Sequence, residues 1–180
     1  SASATPETVI TRPDQYVGAT IYTGNGGTQT VEGLSMSPDF VWIKRRDDSA
    51  KDHNVYDSVR GSSGGYFNQL VPNVTSAENN NSSDYGRLTS LNSDGFTLDS
   101  ATSDHSLVND SGDSYVAWCW RAGGSKNTFN VDDVGYASAA DAGLDGGSIT
   151  PTGESVGTRQ GFSIIKFTAQ SSGNATVSHG

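Results

Sequence analysis

Ser114-Tyr115-Val116-Ala117-Trp118-Cys119-Trp120-Arg121 is the stretch that decides the fold. It holds aromatic, β-branched and small residues with no Gly or Pro, the composition of a strand. Successive side chains of a strand point to opposite faces. Tyr115, Ala117 and Cys119 therefore share one face, and Val116, Trp118 and Trp120 the other. Large aromatics favour burial, so the two Trp are expected to fill a sheet-to-sheet core or an interface to a neighbouring module. Stacking on a sugar ring ranks below that. Cys119, between them, reads as a buried small hydrophobe rather than a nucleophile.

The same signals recur on both sides of this strand. Tyr16 to Thr23 reads as one strand, Asn25-Gly26 as a tight turn, and Gln29 to Val31 as a second short strand. Phe40-Val41-Trp42-Ile43-Lys44-Arg45 is apolar on both faces, which suits a central strand. His53 to Arg60 reads as a further strand. Leu88–Leu91 and Phe96–Leu98 flank Asp94-Gly95 as a hairpin, and Ser148–Thr150 and Phe162–Thr168 close the series. No stretch carries a helical period. The expectation is an all-β fold, an antiparallel β-sandwich or jelly roll. Residues 1–15 read as a linker, 16–124 as the sandwich, 125–147 as a Gly/Asp-rich connection with little regular structure, and 148–180 as returning strands.

Those returning strands echo the beginning. Gly161 to Thr168, a Gly/Ser/Asn turn and Thr176 to Gly180 echo Ile21-Tyr22-Thr23, Gly24 to Gly27 and Thr30 to Gly33. The expectation is a piece of a longer, repeat-containing β protein in which a second repeat starts here.

Composition narrows the function. The chain has 180 residues, 22 of them Gly, and a net charge of -9 from 20 acidic and 11 basic residues. Phosphate-backbone binding needs a cationic surface, so nucleic acid is not an expected partner. No apolar run approaches the length of a membrane span, so membrane insertion is not expected. One cysteine permits no internal disulfide framework. The five Asn-x-Ser/Thr sequons (Asn73, Asn80, Asn81, Asn109 and Asn174) follow from a composition rich in Asn and Ser.

Several motifs in order resemble a known family. They are Tyr22-Thr23-Gly24-Asn25-Gly26, Gly33-Leu34, Ser37-Pro38-Asp39-Phe40-Val41-Trp42-Ile43-Lys44 with Arg46, and Tyr56-Asp57-Ser58-Val59-Arg60-Gly61. Ser93-Asp94-Gly95-Phe96-Thr97-Leu98 and Tyr115-Val116-Ala117-Trp118-Cys119-Trp120-Arg121-Ala122-Gly123-Gly124 follow. The set resembles the uncharacterised lectin-like (concanavalin-type jelly-roll) domain of virion proteins from marine bacteriophages, cyanophages especially. It covers residues 16–124 and resumes at Gly161. The resemblance implies a structural module of a tail fibre, tail or capsid surface, located on the virion, and carries over no catalytic residue.

The chemistry-bearing residues agree with a non-enzymatic reading. Glycoside cleavage needs two carboxylates about 5 to 9.5 Å apart across one sugar. Glu7, Glu32, Glu78 and Glu154 are spread through segments read as turns or loops, never paired. A Ser/His/Asp triad drawn from His53 or His105 lacks a nucleophile elbow. Zinc fails with one Cys and three scattered His, and no cofactor is expected. Calcium has weak candidates in Asp47, Asp48 and Asp52 and in Asp110 and Asp113, which solvated turns explain as well. For glycan, loop position favours Tyr66, Phe67, Tyr85 and His53. For assembly, the cationic group Lys44, Arg45, Arg46 and Arg60 stands out. Pairing with a neighbouring subunit competes there with local pairing to Asp47, Asp48 and Asp57.

The function expected is therefore a virion module that displays loops for host attachment or assembly, with other copies, other virion proteins or a host glycan as partners. A carbohydrate-binding lectin-like module is the alternative, and a polysaccharide-degrading tail enzyme ranks below both.

Overall fold

In a computed structural model, residues 12–79, 86–99 and 107–180 are described. Thirteen strands and one short 3-10 helix, Pro13–Gln15, make up their regular structure. The main sheet runs β1 (Val17–Thr23), β9 (Ser114–Trp120), β3 (Phe40–Arg45), β4 (His53–Asp57), antiparallel throughout. Facing it is a sheet of β2 (Gln29–Val31), β8 (Gly95–Leu98) and β7 (Leu88–Asn92). Their inner faces share one apolar cluster that includes Val41, Ile43, Tyr115, Ala117 and Cys119 from the first sheet and Val31, Leu88, Phe96 and Leu98 from the second. The all-β sandwich expected from the sequence is the observed architecture. A two-strand hairpin, β5 (Ser62–Ser63) and β6 (Tyr66–Phe67), lies outside both sheets.

A third sheet was not foreseen. It is ordered β11 (Val134–Tyr136), β10 (Phe129–Val131), β12 (Gly153–Gly157), β13 (Phe162–Lys166), with β10 and β12 parallel. The connection expected over 125–147 thus contains a hairpin, and Glu154, read as a loop residue, sits in a buried strand. Ser148–Thr150 forms no strand, and Ile149 makes a single parallel bridge to Val177. Asp39 ties this sheet's approach to the sandwich, its Oδ2 accepting from the N–H groups of Ala122 (2.8 Å) and Gly124 (3.1 Å). At Gly123 a Cβ would lie 2.4 Å from the Val156 carbonyl oxygen, so only glycine lets the chain cross there.

Three local features depend on partners distant in the chain. The Asn25-Gly26 turn joins strands of different sheets, since β1 pairs with β9 and β2 pairs with β8 in the facing sheet. The turn crosses between sheets and is clamped by buried Asn109, which accepts from Asn25 N–H and donates to Asn25 Oδ1 and the Gly27 carbonyl. The two segments that echo one another have different partners, Ile21-Tyr22-Thr23 lying in β1 against β9 and Phe162–Lys166 forming β13 against β12. Finally, the face of β9 that enters the core is Tyr115, Ala117 and Cys119, not the Trp face. Small Ala117 and Cys119 leave room for Phe96 and Leu98 between the sheets, where two indoles would overfill the layer. Trp118 instead points outward, 37% exposed, edge-on to Trp42. Trp120 stacks on Phe162 of the third sheet at 6.0 Å.

Candidate functional site

The segments on either side of the decisive strand meet at one end of the molecule. Gln15 and Tyr16 lead into β1, Arg121 and Ala122 leave β9, Asp132 and Asp133 turn between β10 and β11, and Arg159 and Gln160 turn between β12 and β13. They enclose a polar cavity of about 330 Å³. Tyr16 and Gln160 also border an apolar cavity of about 270 Å³, walled by Pro13, Val17, Trp120 and Phe162. The two adjoin across Tyr16 and Gln160 as one groove with a polar wall and an aromatic wall.

The polar wall is held rigid. Val131 and Val134 pair across a two-residue loop, which demands positive φ at both central positions. Asp132 (φ 46°) and Asp133 (φ 68°) adopt it, and Asp is among the few non-glycine residues that tolerate this region. Asp132 donates its N–H to the Val156 carbonyl (3.0 Å), while its carboxylate accepts from Thr158 N–H (3.0 Å) and Oγ1 (2.5 Å). Asp133 donates its N–H to the Gly123 carbonyl (2.8 Å), and its carboxylate pairs with the Arg121 guanidinium. Gln160 Nε2 donates to the carbonyls of Arg121 (2.9 Å) and Ala122 (3.0 Å). Arg159 is exposed and makes no ion pair among the described residues. Both aspartates are engaged by donors, so neither is a free general base; the wall offers fixed donors and acceptors for binding.

The residues singled out from the sequence are placed apart. Tyr66 and Phe67 do line a cavity of about 240 Å³ with Arg87, whose guanidinium lies 4.0 Å over the Tyr66 ring. His53 is elsewhere, accepting from Trp42 Nε1 at 2.9 Å on the outer face of the main sheet. Burial, then the charge of Lys44, lowers its pKa. Tyr85 lies outside the described residues.

The cationic group is likewise divided. Because β4 runs back antiparallel to β3, Arg60 ends beside the start of β3, at the opposite end from Arg45. Arg60 pairs with Asp57 (2.5 Å) and Glu78 (3.6 Å). Lys44 donates to the carbonyls of Arg45 and Asp48, and Arg46 is exposed. Arg45 gathers Asp47 (2.7 Å), Asp113 (2.5 Å) and Asp110 (4.0 Å). Three of the five weak calcium candidates, Asp47, Asp110 and Asp113, thus surround a guanidinium that already supplies the positive charge. Asp48 accepts from Ala50 N–H, and Asp52 from Asn73. Among the described residues no cluster of three His, Cys, Asp or Glu is arranged for a metal ion.

Sequence reasoning missed the groove because its residues come from four segments far apart in the chain. The one local signal was Val131-Asp132-Asp133-Val134, a two-residue turn between β-branched residues.

These features define a β-sandwich domain with an added third sheet and an amphipathic groove where that sheet meets the main one. Over residues 12–180 the chain matches the domain of unknown function DUF7483, and it belongs to that family. No curated protein and no solved structure matches it.

Proposed function

We propose that this domain is a non-enzymatic structural module of a virion surface, in a tail fibre, tail or capsid position, and that it holds a host-surface glycan in the Tyr16–Gln160 groove. The virion setting rests on the ordered motifs that resemble phage structural domains. The observation that carries the binding role is the groove's two-sided wall. A pyranose ring presents an apolar C–H face and a rim of hydroxyls, and such ligands are held by aromatic surface beside a few fixed polar groups. Tyr16, Trp120 and Phe162 supply the first, and Arg121, Asp133 and Arg159 the second.

A glycan array probed with the intact chain, followed by calorimetry on the best ligand, tests the binding role. Binding is expected, with at least a tenfold loss in Tyr16→Ala and Arg159→Ala. Absence of any ligand, or full binding by both variants, refutes it. Antibody-gold labelling of native particles tests the location separately, and unlabelled particles refute the virion assignment.

A further inference from the structure

β1 is the edge of the main sheet, and its open side obeys a simple parity. The ladder to β9 is bounded by Arg121 N–H donating to the Tyr16 carbonyl and Gly24 N–H donating to the Asp113 carbonyl. Hydrogen-bonding direction alternates along a strand, so the even-numbered residues of β1 turn their N–H and C=O toward β9. Val17, Ala19 and Ile21 turn theirs away, and none of these six groups has a partner among the described residues. The Thr23 carbonyl is taken by Gln29 Nε2.

Exposed edges are normally blunted by charge, proline, bulges, shortness or a cover. Among the described residues, the other edges of the three larger sheets have such a device. Val55 of β4 exchanges both backbone bonds with Leu70. β2 and β11 are three residues long, β7 is irregular between Leu88 and Ser90, and β13 carries Lys166. β1 is seven residues long and straight in register, with no charge and no proline. Val17 and Ile21 stand 45% and 68% exposed beside the open edge.

We propose that β1 pairs antiparallel with β1 of a second copy about a two-fold axis at Ala19, joining two main sheets into one eight-stranded sheet. In that register Val17 meets the partner's Ile21, Ala19 meets the partner's Ala19, and Ile21 meets the partner's Val17. All three are hydrogen-bonded pairs, and they satisfy all six open groups. The same register pairs β-branched Val17 and Ile21 side chains across the junction. A two-fold contact requires a self-complementary patch, and this strand is one. Charge favours the same choice. In a chain of net charge -9, the strip of Val17, Ala19, Ile21, Val116 and Trp118 carries none, so two acidic molecules meet there with least repulsion.

An edge contact of this length buries less than about 1,200 Å², so the dimer is weak and concentration-dependent. Sedimentation of the intact chain from about 5 to 500 μM should show a reversible monomer–dimer equilibrium with Kd on the order of 10–100 μM. Amide exchange across the same range supplies the specific readout: Val17, Ala19 and Ile21 slow with concentration, while Gly18, Thr20 and Tyr22 are protected throughout. Ala19→Pro removes only an outward N–H, and Ile21→Lys places a charge at the junction; each should weaken association at least tenfold with the melting temperature nearly kept. A monomer at every concentration overturns the proposal. So does a dimer whose three odd-numbered amides do not slow, or one that forms equally in folded Ala19→Pro and Ile21→Lys.

Discussion

Glu154 gives the most quantitative test of the fold. It lies in β12 with no exposed surface, and neither carboxylate oxygen has a hydrogen-bond partner among the described residues. Phe129 and Ile165 oppose it in the two flanking strands, so its same-face neighbours are apolar. Burial without a partner disfavours the charged form and raises the carboxyl from 4.5 to about 7. The folded protein therefore holds this proton more tightly than the unfolded chain does. Stability from this group is constant below about pH 4.5, declines as pH rises toward 7, and stays low above it. At 1.36 kcal/mol per pH unit, the loss is about 3 kcal/mol. Glu154→Gln removes the titration while leaving a neutral polar group of the same shape. Urea unfolding at pH 5, 6, 7 and 8 should show wild type and variant within about 1 kcal/mol at pH 5. At pH 8 the variant should be more stable by about 3 kcal/mol. Parallel pH profiles for the two proteins would refute the reasoning, because they would mean that the carboxylate is already stabilised when charged.

Other substitutions probe the joints between sheets. Asp39→Ala leaves the buried N–H of Ala122 and that of Gly124 without their acceptor and should cost about 2–3 kcal/mol in denaturant unfolding. Asn109→Ala releases the Gly24–Gly27 turn from three side-chain hydrogen bonds, with an expected loss of about 2–3 kcal/mol. Trp118→Ala and Phe96→Ala together test which face of the main sheet is inside. Removing the part-exposed indole should cost about 1 kcal/mol or less, while removing the buried Phe96 ring should cost about 3–5 kcal/mol. Cys119, buried with its thiol pushed up to about 12, should stay unmodified by iodoacetamide at pH 8 until the chain is unfolded.

Period-two alternation announces that a strand has two faces but says nothing about which one is inside. Ser114–Trp120 was legible as a strand to within a residue, as were Gln29–Val31 and the β7–β8 hairpin, whose turn falls one residue earlier than expected, at Ser93-Asp94, with Gly95 opening β8. Hydrophobicity then pointed to the Trp face, whereas the interior took Tyr115, Ala117 and Cys119. The choice depends on the facing sheet, whose Phe96, Leu98 and Leu88 already fill the layer. Partner choice is equally non-local. Asn25-Gly26 has the chemistry of a hairpin turn, yet Asn109 recruits it to cross between sheets. Gly153-Glu154-Ser155-Val156-Gly157 reads as a loop because its residues are small or polar, but those qualities let it pass as a strand through a crowded junction. The groove was illegible for the same reason. Tyr16, Arg121, Asp133 and Arg159 are ordinary surface residues in sequence and become one wall only when the third sheet docks on the end of the first. The open edge of β1 is a middle case. Its lack of charge and proline is visible in Val17-Gly18-Ala19-Thr20-Ile21-Tyr22-Thr23, but a bare edge has meaning only once pairing with β9 leaves the other side without a strand partner among the described residues. The proposed glycan groove and the proposed pairing edge therefore rest on where strands end and which edge stays open, properties of the assembled sheets and of no single stretch of chain.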